Sequence, residues 1–170
     1  VVVIPEEELY IALSWDKNNA DLDLHLVPEG QPMWGPRTCF FCCTRPTWRT
    51  SDFDWGSPIY TLDNTIGYGP ESIEVSQPTD QVGYFIRVYY FNDKGGGDTE
   101  ATISIYIDGV LRETMTATLP TDRNRWKVGY VRFDGPPTDP ERMGTFFAED
   151  VVEAWGPPIS DPVCPEVYCY

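Results

Sequence analysis

The feature that most constrains this chain is a period of two that recurs in short runs. Leu9, Ile11, Leu13 and Trp15 alternate with Tyr10, Ala12 and Ser14, which places the first set on one face of a strand. Leu22, Leu24 and Leu26 alternate with Asp21, Asp23 and His25 in a second strand that Pro28 ends. Further strand-like runs occupy 59–62, 72–75, 84–91, 101–107, 110–118 and 126–133, and Asp108-Gly109 between two of them reads as a two-residue hairpin turn. No stretch holds a helical period. Eight short strands with regular turn signals predict an all-β fold, an antiparallel β-sandwich, with jelly-roll and immunoglobulin-like topologies both open.

The pattern fades at both ends. Residues 134–170 hold seven of the 16 prolines and eight acids against one Arg. They read as an acidic, Pro-rich tail. Asp139-Pro140-Glu141 resembles a helix start, and Phe146, Phe147, Val151, Val152 and Trp155 are too apolar for a free linker. The expected organisation is a sandwich over 1–133 and a tail over 134–170 docked on it. Val1 opens a β-prone run, Val1 to Ile4, that precedes Pro5. This start, without an initiator Met, reads as a processed mature protein or an excised piece, and the run is suited to pair with a neighbour's open sheet edge or to be an ordinary edge strand of this same domain.

Twelve Lys+Arg stand against 27 Asp+Glu, a net charge of −15, and such a field repels nucleic-acid phosphates and anionic lipid surfaces. No apolar run is long enough for a membrane span. Five cysteines, Cys39, Cys42, Cys43, Cys164 and Cys169, lie in an acidic Pro-rich chain without any catalytic cysteine context. They point to disulfides and an oxidising, extracellular or cell-surface setting. The irregular stretch 29–57 carries three of them and reads as a long disulfide-stapled loop, with one thiol left over by the odd count. The alternative is a zinc site joining Cys39 and Cys42 to Cys164 and Cys169.

The chemistry centres on Trp15-Asp16 through His25. Residues two apart on a strand share a face at about 6.6–7 Å, so Asp21 and Asp23 hold two like charges side by side. Such a pair is costly without a positive group near it. Calcium, which takes six to eight oxygens, answers that need, with Asp16, Asn18 and Asn19 nearby and Asp63 and Glu71 from a second oxygen-rich loop as further ligands. The competing reading makes Asp16, Asn18 and Asp63 turn formers and Asp21 and Asp23 a solvated sheet face. His25, the one histidine, reads as a surface or satisfied sheet residue.

Trp15-Asp16, Asp21-Leu22-Asp23-Leu24-His25-Leu26, Leu62-Asp63, Gly67-Tyr68-Gly69-Pro70-Glu71-Ser72-Ile73, Gly83-Tyr84, Val88-Tyr89-Tyr90 and Trp126-Lys127-Val128-Gly129 together resemble an uncharacterised bacterial family of periplasmic and surface modules, a domain of unknown function. The resemblance spans roughly residues 9–133. More distantly, Trp15-Asp16, Asp21-Leu22-Asp23 and Asp63-Asn64 to Gly67 are similar to the calcium-binding β-sandwich of tellurite-resistance proteins. That similarity implies Asp21, Asp23 and Asp63 as calcium ligands. The chain departs from the pattern after Gly67, where Tyr68-Gly69-Pro70 replaces an acid-rich stretch.

No convergent nucleophile, base and acid set is visible, so the expectation is a module without catalytic activity. A carboxylate-dependent glycoside hydrolase is the enzymatic alternative, disfavoured because Asp21 and Asp23 sit beside each other rather than across a sugar. Carbohydrate binding is a second alternative, since Trp34, Trp48, Trp55, Tyr60 and Tyr68 crowd the loop region; the same residues read equally as a small satellite core. The sequence therefore predicts a secreted or cell-surface sandwich with a structural or adhesive role, binding calcium and partnering other protein subunits, surface components or a glycan. Within that reading it is suited to be a subunit of a larger assembly or filament.

Overall fold

The computed structural model describes residues 7–48, 56–65 and 67–155. Among these residues nine strands follow one another: β1 (Leu9–Trp15), β2 (Asp21–Pro28), β3 (Ile59–Leu62), β4 (Glu71–Val75), β5 (Tyr84–Asn92), β6 (Thr99–Ile107), β7 (Val110–Leu119), β8 (Asn124–Phe133) and β9 (Gly144–Ala154). They form two antiparallel sheets, one ordered β3-β4-β1-β6-β7 and the other β2-β5-β8-β9. The fold is an all-β sandwich. Alternation does the sorting: Leu9, Ile11 and Leu13 of β1 and Ile103, Ile105 and Ile107 of β6 enter the core against Leu22, Leu24 and Leu26 of β2 and Trp126, Val128 and Val131 of β8. Each large apolar side chain so buried contributes about 1.5–3 kcal/mol.

The β6–β7 turn follows the sequence reading. Asp108 and Gly109 take φ of 53° and 71°, the left-handed pair that a two-residue hairpin needs to match strand twist.

Three expectations change. First, 144–154 is not tail but a ninth strand paired along β8, because Phe146 and Val152 pack against the core once that edge is covered. Residues 139–141 form turns rather than a helix start, with the Asp139 amide donating to the Pro136 carbonyl at 2.9 Å. Residues 156–170 lie outside the described residues. Second, β2 is buried on both faces rather than half-solvated. The stretch after it folds back over its outer side: Leu26 and Cys39 exchange backbone hydrogen bonds at 2.9 Å, and Phe40 stacks on His25 with ring centroids 5.0 Å apart.

Third, Cys39 is a free thiol and not a disulfide partner. It is wholly buried in the core, its Sγ 3.8 Å from the Thr44 carbonyl, and burial pushes its pKa well up. A protonated core thiol is inert, which removes Cys39 from the zinc set as well. No disulfide joins two of the described cysteines, and Cys164 and Cys169 lie outside them.

Candidate metal centre

The site forms where the free edge of β2 faces the first residue of β4 in the other sheet. In β4, Glu71, Ile73 and Val75 share the inward face, so strand alternation alone drives the Glu71 carboxylate into the sandwich. There Glu71 Oε2 accepts hydrogen bonds from the Leu24 amide at 2.6 Å and the Tyr60 hydroxyl at 2.5 Å. Oε1 is shut from solvent with no close donor among the described residues, and the Asn64 backbone also hydrogen-bonds the carboxylate.

Asp21 and Asp23 lie on the face of β2 opposite Leu22, Leu24 and Leu26, and both are buried. Asp23 is 4% exposed and Asp21 8% exposed. Asp23 Oδ2 and Asp21 Oδ1 are both buried without a hydrogen-bond partner. The solvated-face reading of this pair therefore fails.

The electrostatics are those of acids lacking a counter-ion. Burial pushes the Glu71 pKa up to about 8, against the hydrogen bonds from Tyr60 and Leu24, and the charge of Asp63 adds to the rise. Burial, then Glu71, Asp21 and Asp63, hold Asp23 well above the ordinary carboxylate range. Asp21 rises to about 6 by burial and Asp63, with Lys94 opposing. Lys94 is committed elsewhere too, donating to the Thr65 carbonyl at 2.9 Å. Its charge falls short of balancing the group.

The sequence-derived ligands therefore divide. Asp21, Asp23 and Glu71 are brought together, with exposed Asp63 in electrostatic range of all three. Asp16 is not part of the group: its Oδ1 accepts hydrogen bonds from Thr99 Oγ1 at 2.8 Å and the Glu100 amide at 2.9 Å, so it caps a turn against β6. The turn after β1 meets the second loop through its backbone instead, Gly67 N donating to Asn18 O at 3.1 Å. Asn64 closes that loop by donating to Gly69 O at 2.7 Å. Tyr60, first read as a sugar platform, is a buried donor to Glu71, with its phenol held protonated by burial and by that carboxylate.

Among the described residues no group of three His, Cys, Asp or Glu side chains is placed to hold a metal ion. The donor chemistry nonetheless suits a hard cation, because three carboxylate oxygens, one each from Asp21, Asp23 and Glu71, are buried and unsatisfied among the described residues. Burial holds the His25 pKa down near 3 against a backbone hydrogen bond with Met33, so the ring is neutral and packed between Phe40 and Trp34.

The aromatic candidates do not share a surface. Trp48 is a core residue, stacked on Tyr84 with its Nε1 donating to the Arg37 carbonyl at 2.5 Å. Trp34 is half-buried against Tyr89 and Trp155 on the outer face of the second sheet. Tyr68 stands exposed in the 62–70 loop, and Trp55 lies outside the described residues. Sequence reading missed a groove of about 420 Å³ on that outer face, lined by Met33, Phe85, Arg87, Arg125, Lys127 and Trp155. Its cations alternate along β5 and β8, a signal that period-two reading contains.

No family model matches the chain and no solved structure matches it significantly.

Proposed function

We propose that this chain is a non-catalytic, calcium-binding β-sandwich module with a structural or adhesive role outside the cell. The observation that carries the reading is the set of orphaned carboxylate oxygens on Asp21, Asp23 and Glu71, buried at the joint of two sheets with Asp63 at its rim. A polar atom buried without a partner costs about 1–3 kcal/mol, more when charged, and a shared divalent cation removes that cost for all three at once. The distant resemblance to the tellurite-resistance sandwich agrees in naming Asp21, Asp23 and Asp63. Calcium at about 100 times its Kd stabilises the folded state by about 2.7 kcal/mol, which for a domain of this size raises Tm by roughly 5–10 °C. Melting curves in calcium, in magnesium and in chelator test this; superimposable curves would overturn the calcium reading.

The same proposal includes two disulfides. With Cys39 reduced in the core, the four remaining cysteines pair as Cys42 and Cys43 with Cys164 and Cys169. Trp155 stacks on Trp34, and Trp34 packs on Phe40, two residues before Cys42. The last described residue thus stands beside the loop that holds Cys42 and Cys43, and the nine residues to Cys164 reach up to about 30 Å.

Binding of an anionic glycan is a second reading favoured by the outer-face groove, where Arg125 lies over the Trp155 ring at 4.8 Å beside Arg87 and Lys127. Quenching of Trp fluorescence by uronate or sulfated oligosaccharides, lost in Trp155→Ala, supports it; no response across such a panel removes it.

A further inference from the structure

Among the described residues the two sheets end on one side in strands without outer partners, β7 and β9, which lie against each other across the sandwich. Apolar surface collects there. Val110, Leu111, Met143, Phe147 and Val151 are each 43–63% exposed save Phe147 at 42%, and they make up five of the seven large exposed hydrophobics among the described residues. Across the outer face of the second sheet Phe85, Tyr130 and Phe147 occupy paired positions on β5, β8 and β9. Their rings stack at centroid spacings of 4.8 and 4.9 Å, the spacing of neighbouring strands. Among the described residues the row stops at Phe147, on the open edge.

That edge has a usable length. From Gly144 to Ala148 β9 pairs regularly with β8, and beyond it the register shifts and Asp150 turns to φ 51°, a bulge that interrupts the edge. The five residues Gly144-Thr145-Phe146-Phe147-Ala148 carry no charge in a chain with 39 charged side chains, 12 basic and 27 acidic. The chain's one run of four consecutive β-branched residues, also uncharged, is Val1-Val2-Val3-Ile4. Its point of departure is fixed: Glu8 accepts the Asp108 amide at 2.9 Å and pairs with Arg142, directly before β9 and beside a groove lined by Asp108, Met143 and Gly144.

We propose that Val1 to Ile4 of one copy adds as a strand to the Gly144–Ala148 edge of a second copy, joining copies head to tail. Within one copy the same pairing would leave the chain a monomer, an outcome that the test below separates. Alternate side chains of the arm then continue the Phe85–Tyr130–Phe147 row and cover Met143. A contact between two different surfaces repeats into rings or filaments. This deepens the assembly reading above and is independent of the ion site.

The test is sedimentation velocity of the 170-residue chain over a concentration series, with three variants: deletion of Val1 to Ile4, Phe147→Lys and Thr145→Lys. The expected result is concentration-dependent multimers of the parent chain and monomers of each variant, with the calcium-induced melting shift kept in all. Mixing the deletion variant with Phe147→Lys restores a dimer and nothing larger, because one supplies the edge and the other the arm. A parent chain that stays monomeric at hundreds of micromolar, or edge variants that assemble like the parent, would overturn the proposal. Where one edge variant melts abnormally, the other and the deletion carry the result.

Discussion

Glu71 Oε2 accepts the Leu24 amide at 2.6 Å, so a carboxylate from one sheet closes the hydrogen-bond edge of a strand in the other. The contact makes Glu71 a structural acceptor and a candidate ion ligand at once, and two substitutions separate the roles. Glu71→Ala leaves the Leu24 amide and the Tyr60 hydroxyl without an acceptor, at about 1–3 kcal/mol each, and lowers Tm with or without calcium. Glu71→Gln keeps an acceptor oxygen but loses the charge. Because its folded pKa stands near 8 against an ordinary 4.5, Glu71 stabilises the metal-free fold fully below pH 4.5 and loses that contribution as pH rises to 8. The Gln variant should flatten this decline and lose most of the calcium-induced melting shift. A full shift in Glu71→Gln would exclude Glu71 as a ligand.

The strands were legible because a sheet face imposes a period of two on every run that crosses it. The same logic extended by one residue would have placed Glu71 on the core face with Ile73 and Val75. What the period does not carry is which second layer covers a strand. The competing reading makes Asp21 and Asp23 a solvated face, yet both are buried, and His25 on the same face is packed between Trp34 and Phe40 of the returning chain. β9 was hidden for a related reason. Its flanking prolines and acids have a tail's composition, while its pairing with β8 depends on contacts that no local pattern records.

His25 gives the fold a second pH dependence, of opposite sign. Its pKa, about 6.5 when unfolded, falls to near 3 because burial disfavours the charged ring. The unfolded chain therefore binds a proton that the fold refuses; the contribution is complete above pH 6.5 and is lost as pH falls toward 3, at up to about 1.4 kcal/mol per pH unit. Urea titrations of the parent and His25→Gln between pH 4 and 7 should diverge by that slope. Parallel curves would mean that the ring is protonated in the fold.

The cysteine assignment predicts a thiol count. Unfolding in denaturant without reductant and alkylating should label one cysteine per chain, Cys39, and the mass should sit four hydrogens below that of the reduced chain. Native protein should resist labelling, since Cys39 is wholly buried. Three or five labelled cysteines in the unfolded, unreduced chain would contradict two disulfides, and peptide mapping distinguishes the two possible pairings.

Gly129 holds β9 close to β8 at the point where their register shifts. Its φ of 155° and the absence of a side chain allow an approach that no other residue permits: a Cβ there would lie 2.2 Å from the Phe147 carbonyl oxygen and 2.6 Å from the Phe146 ring. Neither obstacle is the free end of a flexible chain, so Gly129→Ala must push the β9 backbone outward. That withdraws Phe146 from the core and opens the edge on which the exposed Phe147 stands. The expected cost is about 2–4 kcal/mol, read as a Tm drop of roughly 5–15 °C, with early proteolysis within β9. Gly95→Ala is the control, since that glycine also has a positive φ, 76°, yet nothing lies within 4 Å of the added Cβ. Its cost is conformational only, about 1 kcal/mol. Equal melting of the two variants would show that backbone strain alone, and not the close approach at Phe147, sets the price at Gly129.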